Sequence, residues 1–204
     1  MPPVEKAPRA WQRMLSGRRL DLLDPSPLDV EISDIAQGLA RVARWNGQTR
    51  GDHAFSVAQH SLMVEAIVGR LSAVPPQTLQ LALLHDAPEY VIGDMISPFK
   101  AVVGGGYKSV EARLEAAIHI RFGLPPVLPK TLKALIKRAD RIAAYFEATE
   151  LAGFDDKEAR AFFGPPRGIS RDMLDVVPRP AAEVEKMFLQ RFGAIEALRH
   201  SKGG

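Results

Sequence analysis

The middle of the chain contains the stretch His85-Asp86-Ala87-Pro88-Glu89-Tyr90-Val91-Ile92-Gly93-Asp94. It places an imidazole and three carboxylates within ten residues, among aliphatic and aromatic neighbours. A carboxylate that is buried in its ionised form is costly unless it is paired, hydrogen-bonded or bound to a metal. The stretch therefore indicates a polar site inside a folded core, and the fold has to supply its partners.

Two further polar side chains lie on apolar helical stripes far from this stretch. His60 begins a pattern of apolar residues at helical spacing that continues with Val64, Ile67, Val68 and Leu71. Asp140 lies one turn after Ile136 on a long helix predicted over about residues 130–152. Side chains from three helices in the interior of a bundle are a common way to hold a metal. We predict that His60, His85, Asp86 and Asp140 bind one divalent ion.

The order of residues around the His-Asp pair adds detail to this prediction. Consecutive helical residues point about 100° apart, so His85 and Asp86 can share an ion only near a helix end. Pro88 forces the helix to end, kink or restart just before Glu89. Glu89 is then placed to orient or deprotonate a water molecule. Gly93 frees the backbone so that Asp94 can turn back toward the ion.

Composition limits the chemistry and the class of protein. The 204 residues are 46% apolar, and 27 basic against 24 acidic side chains leave a net charge of +3. This excess is spread along the chain, so we expect no stable nucleic-acid partner. Cysteine is absent, so a metal must be bound by nitrogen and oxygen atoms. No segment is apolar enough to span a bilayer and no secretory signal is evident, so we expect no membrane association and a cytoplasmic location.

The apolar pattern predicts an all-α protein with a single domain. Residues 1–29 are expected to form an irregular segment packed on the body, with Trp11 and Arg19–Leu23 as a short strand pair or turn. Residues 30–200 are expected to form the helical domain. The predicted helices run from Ser33 or Asp34 to about Trp45, from Ser56, from Pro75-Pro76, and over about 107–122, 130–152 and 181–199.

Simpler explanations exist for each residue taken alone. A lone buried histidine is more often a core residue than a ligand, and Asp140 could pair with Arg138 or Arg141. The stretch Gly104-Gly105-Gly106-Tyr107-Lys108-Ser109 lacks the glycine that a phosphate-binding loop needs before Gly-Lys-Ser, so we interpret it as a flexible linker. The joint pattern of four candidate ligands with Glu89 and Asp94 is much harder to obtain by chance.

This pattern of His, then His-Asp, then a distant Asp resembles the HD-domain metal-dependent phosphohydrolase superfamily. Within it the chain is most similar to bacterial 5′-deoxynucleotidases and to small HD-domain deoxynucleotide triphosphohydrolases. The matching stretches cover roughly residues 30–150, and they are Arg44-Trp45, Phe55–Ser61, His85–Lys100, Tyr107–Glu111 and Lys137–Asp140.

The resemblance implies a role for each matching residue. His60, His85, Asp86 and Asp140 would be the metal ligands and Glu89 would position the attacking water. Asp94 would lie at the scissile ester oxygen, as a proton donor or a selector of the sugar. Arg44 would hold the phosphate, Trp45 would flank the nucleoside, and Lys100 would be a further phosphate contact. Gln59 is a departure, because relatives often have Glu before the histidine.

The function that this implies is hydrolysis of 5′-(deoxy)nucleoside monophosphates to nucleoside and phosphate. One divalent metal ion (Mn, Co, Fe, Zn or Mg) would be needed, and two histidines make Mg²⁺ the least suited as sole occupant. One alternative is a deoxynucleoside triphosphate triphosphohydrolase, which Lys100, Lys108 and Arg138 would serve. Another is a non-catalytic regulatory module that binds a nucleotide. Relatives commonly form homodimers, and the helix after residue 180 could provide the surface.

Overall fold

Eight α-helices and one short β-hairpin make up the part of the chain that the structure describes. The structure is a computed structural model, and it describes residues 10–95 and 105–201. In the hairpin, β1 (Trp11–Arg13) pairs antiparallel with β2 (Arg19–Asp21). The helices are α1 (Ile32–Leu39), α2 (Val57–Leu71), α3 (Pro76–Leu83), α4 (Glu89–Ile92), α5 (Gly105–Arg121), α6 (Lys130–Glu150), α7 (Asp156–Phe163) and α8 (Ala181–Ser201). Short 3-10 helices cover Pro27–Asp29, Arg44–Gly47 and Arg171–Met173. The predicted mostly helical single domain is confirmed.

Helix α2 lies at the centre and contacts α3, α6 and α8. It begins as predicted, because the Ser56 hydroxyl accepts a hydrogen bond from the backbone N–H of Gln59 at 3.3 Å. Its apolar side chains Val64, Ile67 and Val68 are fully buried. No helix in residues 10–95 and 105–201 has the length and apolar content that crossing a membrane would require.

The last helix, α8, packs inside the same chain. Its apolar side chains Val184, Phe188 and Ile195 are fully buried, and the helix contacts α1, α2 and α3. The apolar face that we expected to offer a dimer surface is therefore already covered within one chain. The homodimer itself stays a prediction.

The N-terminal hairpin packs on the helical body as a short strand pair, as the sequence predicts. Leu20 is fully buried, and the Asp34 carboxylate on α1 accepts hydrogen bonds from the Ser16 N–H at 3.0 Å and from the Ser16 hydroxyl at 2.5 Å. Each contact ties the hairpin to the first helix. The domain boundary at residues 29 and 30 stays a prediction.

The first helix differs from its prediction at both ends. It begins at Ile32 instead of using Ser33 or Asp34 as a cap, and it ends at Leu39. The chain then pairs with the segment that precedes α2: the Arg44 N–H donates to the Phe55 carbonyl at 2.8 Å. Those backbone hydrogen bonds compete with helix formation, so the segment that carries Arg44 and Trp45 leaves the helical path. Helix α7 has no counterpart among the sequence predictions.

A close approach between α1 and α4 fixes the position of Glu89. A Cβ atom added to Gly38 would lie 2.8 Å from both the Cβ and the carbonyl oxygen of Tyr90, the residue next to Glu89. Only a residue without a side chain lets the two helices come this close.

We expect Gly38→Ala to lower the free energy of unfolding by about 1–3 kcal/mol, because the added methyl group meets backbone that cannot move aside. Helix propensity alone would change stability in the opposite direction by about 0.5–1 kcal/mol. The matched control is Gly69→Ala on α2, where the added atom would meet only Leu79 Cδ2 at 3.5 Å. Chemical denaturation of both variants measures the difference, and a Gly38→Ala protein as stable as Gly69→Ala would contradict this packing argument.

Candidate metal centre

The His-Asp pair lies in a tight turn between two helices. Helix α3 ends at Leu83, residues 84–88 form turns, and α4 begins at Glu89 directly after Pro88. Of the three outcomes that Pro88 was expected to allow, an end, a kink or a restart of the helix, the structure shows a restart. His85 Nδ1 lies 2.9 Å from the Ala82 carbonyl oxygen. Since a carbonyl only accepts hydrogen bonds, Nδ1 must carry the proton, and the lone pair of His85 is on Nε2.

The four candidate ligands come together in space. His60 Nε2 lies 3.5 Å from an Asp86 carboxylate oxygen and 3.4 Å from an Asp140 carboxylate oxygen. His85 Nε2 lies 3.1 Å from the same Asp86 oxygen. Metal–ligand bonds of about 2.1 Å place neighbouring ligand atoms about 3–3.5 Å apart. His60, His85 and Asp86 form a possible metal-binding group by this geometry. Asp140 is not part of that group of three, and its 3.4 Å distance to His60 Nε2 places it beside the group.

Both histidine nitrogens that face this cluster lack a hydrogen-bond partner. Within residues 10–95 and 105–201, His60 Nε2 and His85 Nε2 are buried and no hydrogen bond reaches either atom. A buried polar atom that is left unsatisfied costs about 1–3 kcal/mol. Two nitrogen lone pairs facing two carboxylates form a donor set that suits a borderline divalent cation such as Mn²⁺, Fe²⁺, Co²⁺ or Zn²⁺. The residues present therefore fit a metal ion.

Glu147 is a buried anchor of the site that the sequence analysis missed. Its Oε1 lies 2.5 Å from His60 Nδ1, and its Oε2 accepts from Trp45 Nε1 at 2.9 Å and from Arg44 Nε at 3.2 Å. The carboxylate fixes the proton on Nδ1, which leaves the Nε2 lone pair for a cation. Glu147 lies seven residues after Asp140, two turns along the same face of α6, and that spacing was the available signal.

The charges around the cluster keep its carboxylates ionised. Burial alone would raise the pKa of Glu147, but the adjacent Arg44 and His60 lower it to about 2. Burial would also raise the pKa of Asp86 and of Asp140, but the histidines hold both well below the ordinary value. Burial and Arg44 lower the pKa of His60, whereas Glu147 and Asp140 raise it, and the net result is about 10, so without a metal Nε2 holds a proton that a bound cation would displace. A pocket with these ionised carboxylates favours the binding of a cation.

Arg44, Trp45 and Asp94 gather beside this cluster. Arg44 Nη1 lies 3.2 Å from an Asp94 carboxylate oxygen. Burial lowers the pKa of Arg44, but the negative charges of Glu147 and Asp94 outweigh this effect, and the net pKa is raised. Trp45 has a φ of 56°, a left-handed conformation that is rare for a bulky residue. Its ring lies 5.9 Å from the Phe163 ring, and Glu147 holds its N–H. The backbone strain at Trp45 is thus maintained by contacts at the site.

Glu89 and Tyr107 approach the site from α4 and α5. Glu89 is 3% exposed and is the first residue of α4. Burial raises the pKa of Tyr107, and so do the negative charges of Glu111, Glu89, Asp94 and Asp86. The Tyr107 hydroxyl therefore lies in the field of the same carboxylates.

Of the residues predicted to act at the site or next to it, one lies outside the described residues and another faces away from the ligands. Lys100 falls outside the described residues. Gln59 faces away from the ligands: its amide donates to the Val177 carbonyl at 2.8 Å, and its oxygen accepts from the Arg179 N–H at 3.2 Å. Glu147 already provides a buried carboxylate in contact with His60 Nδ1. His60 therefore has an anionic partner although residue 59 is Gln and not Glu.

Comparison with known proteins agrees with this geometry. A family model described as 5′-deoxynucleotidase YfbR-like matches residues 34–192. An uncharacterised protein of Rhodobacter capsulatus is 56% identical over 184 residues, which cover 90% of this chain and 94% of that protein. The uncharacterised protein YfdR of Escherichia coli is 33% identical over 172 residues, 84% of this chain and 87% of that protein.

A relative with a named activity is more distant. The 5′-deoxynucleotidase of Shewanella oneidensis is 25% identical over 152 residues, 63% of this chain and 76% of that protein. The family match spans most of the chain, and it includes every candidate ligand, Glu89, Asp94 and the buried anchor Glu147. The chain therefore belongs to the YfbR-like 5′-deoxynucleotidase family of HD-domain phosphohydrolases.

Proposed function

We propose that the protein hydrolyses 5′-(deoxy)nucleoside monophosphates to nucleoside and phosphate, with one divalent metal ion held by His60, His85, Asp86 and Asp140. The observation that carries the proposal is the convergence of two unpartnered buried imidazole nitrogens on two ionised carboxylates. The family match and the named activity of the Shewanella relative support a nucleotide phosphohydrolase.

Hydrolysis of a phosphate ester has a very high uncatalysed barrier. A divalent ion at this site supplies a Lewis acid that polarises the phosphoryl group and lowers the pKa of water. Arg44 binds the phosphate. Glu147 and Asp94 each accept from one of its five N–H donors, which fixes the orientation of the guanidinium plane and leaves the remaining donors for phosphate oxygens.

Glu89 is the proposed proton acceptor. As the oxygen of water attacks phosphorus, the water proton passes to the Glu89 carboxylate, and the bond between phosphorus and the 5′ oxygen breaks. The same proton then passes to the 5′ oxygen of the departing nucleoside. Asp94 is paired with Arg44 and so acts as a hydrogen-bond acceptor. We infer that it selects the sugar by accepting from a hydroxyl group and that it is not the proton donor.

The experiment that tests this function is a nucleotide panel run beside elemental analysis of the purified protein. We expect release of inorganic phosphate from deoxynucleoside monophosphates with Mn²⁺ or Co²⁺. Activity confined to triphosphates would replace this proposal with the triphosphohydrolase. Nucleotide binding without turnover of any phosphomonoester, by a protein with a full complement of metal, would favour the regulatory module.

Metal removal gives a further expected result. We expect EDTA to abolish phosphate release and to lower the melting temperature, because an ion that binds only the folded state stabilises it by mass action. At free metal concentrations about 100-fold above Kd the expected stabilisation is about 2.7 kcal/mol. Differential scanning fluorimetry with EDTA and then with excess Mn²⁺ measures it. A melting temperature that does not respond to either addition would contradict a metal centre at this position.

A further inference from the structure

A basic groove lies on the outer side of α6, next to the candidate metal centre. It has a volume of about 740 Å³ and lies between α6 and the segment that follows α7. We call it the α6 groove, and its main lining residues are Lys137, Arg138, Arg141, Ile142, Phe163 and Arg167. This volume is within the range of about 300–1,000 Å³ that is usual for small-molecule sites.

The α6 groove has a clear excess of positive charge. Arg141 and Arg167 are exposed, and neither forms an ion pair within the described residues. The Arg138 guanidinium donates to the Arg167 carbonyl at 3.2 Å, so the two sides of the groove are joined and Arg138 keeps its full charge. The Asp140 carboxylate pairs with Lys137 at the groove, and a cation bound at the metal centre would compensate its charge. A concave surface lined by one sign of charge attracts small ions of the opposite sign.

Two contacts connect the groove with the reaction site. Lys137 Nζ lies 2.7 Å from an Asp140 carboxylate oxygen and also lines the groove. Phe163 also lines the groove and packs edge-on against Trp45. The groove is therefore adjacent to a candidate metal ligand and to Trp45, and five of its lining residues lie on α6. Because Lys137 contacts the Asp140 carboxylate directly, an anion at the metal centre is close to the positive charge of the groove.

We propose that the α6 groove binds a chain of two or more phosphate groups. The proposal rests on the proposed function, because it places the first phosphate at the metal centre and the following ones in the groove. Guanidinium groups bind phosphate oxygens through paired N–H donors, and three arginines line this surface. The chain could be the tail of a nucleoside triphosphate or a separate inorganic polyphosphate, and the chemistry of recognition is the same for both.

Isothermal titration of the metal-loaded full chain with inorganic tripolyphosphate tests the proposal, with Mn²⁺ in excess over the anion. Orthophosphate is the matched ligand, because it reaches the metal centre but is too short to reach the groove. We expect tripolyphosphate to bind wild type at least about tenfold more tightly than orthophosphate, and the double variant Arg141→Glu/Arg167→Glu to lose that difference. Orthophosphate binding should not change in the double variant.

The control is Arg70→Glu, an exposed arginine at the opposite end of α2 from His60. Arg70→Glu changes the net charge by two units and the double variant by four. A loss of binding free energy in Arg70→Glu half as large as in the double variant would show attraction to net charge alone and would overturn the proposal, as would unchanged tripolyphosphate binding in the double variant. Binding is measured without turnover, so the result is independent of the assay for phosphate release. A chain that releases no phosphate from any nucleotide but shows the expected pattern would keep the groove and lose the proposed function.

A second titration distinguishes the two sources of the phosphate chain. Wild type and the double variant are titrated with a non-hydrolysable deoxynucleoside triphosphate analogue and with the matching monophosphate. Weaker binding of the triphosphate analogue alone would identify the groove as the site for the tail of a nucleotide. If both nucleotides bind as in wild type while tripolyphosphate binding falls, the ligand is an inorganic polyphosphate.

Discussion

Asp86→Ala is expected to lower kcat/KM for phosphate release by at least about 10³-fold. The substitution removes a carboxylate whose oxygen lies within 3.5 Å of His60 Nε2 and 3.1 Å of His85 Nε2. The charge stabilisation supplied by a catalytic metal is several kcal/mol, and each 1.36 kcal/mol corresponds to about tenfold in rate. Phosphate release from deoxynucleoside monophosphates measures the loss, and elemental analysis measures the bound metal.

The fold should tolerate this change. The Asp86 side chain is 24% exposed, so its removal leaves no closed cavity. Without metal, we expect the variant to melt close to wild type, and addition of Mn²⁺ should no longer raise its melting temperature. The matched control is Asp24→Ala, which removes an exposed carboxylate from the loop after β2. An Asp86→Ala protein with wild-type metal content and activity would show that the cluster is not the metal centre.

The candidate ligands could be predicted from the sequence because the evidence for each of them lies in its neighbouring residues. Helical spacing places His60 and Asp140 on apolar stripes, and a buried carboxylate needs a partner. The restart of the helix at Pro88 follows from the missing N–H and the fixed φ of proline. Each of these inferences needs only a few neighbouring residues. The structure brings His60, His85 and Asp86 together and places Asp140 3.4 Å from His60, and their binding of a metal stays a prediction.

Other features depend on contacts between distant parts of the chain. The end of α1 at Leu39 reflects backbone pairing with the segment before α2, which no apolar pattern encodes. The left-handed backbone at Trp45 depends on contacts with Glu147 and with Phe163. Glu147 itself resembles an ordinary charged residue near a helix end, and only its distance of two helical turns from Asp140 indicated that it faces the site. Partners of this kind are separated by about a hundred residues.

The missed residue Glu147 should therefore have a large effect when it is changed. Glu147→Gln keeps the size of the side chain but replaces an acceptor oxygen with an N–H donor, next to the three donors His60 Nδ1, Arg44 Nε and Trp45 Nε1. Removing one partner from a buried charge pair costs about 3–5 kcal/mol, and we expect the free energy of unfolding to fall by that amount. Chemical denaturation measures it.

The same substitution should weaken metal binding by about 10–100-fold, because the carboxylate that orients a metal-binding histidine contributes that much to affinity. It should also raise KM, since Arg44 loses the contact that orients its guanidinium for the substrate phosphate. Titration with Mn²⁺ and steady-state kinetics separate these effects from a loss of fold. The matched control is Glu150→Gln on the same helix, whose pair with Arg171 is exposed and contributes about 0–1 kcal/mol.

If Glu147→Gln does not fold, Glu147→Asp is the variant that tests the role of Glu147. The shorter side chain keeps the negative charge but cannot reach His60, Arg44 and Trp45 together, so stability should recover more than metal affinity does. This separation arises because charge compensation depends on proximity, whereas orientation of the imidazole depends on a hydrogen bond of defined length. If Glu147→Asp binds Mn²⁺ as wild type does and has the same KM, then Glu147 compensates charge in the core and does not orient the ligand or Arg44.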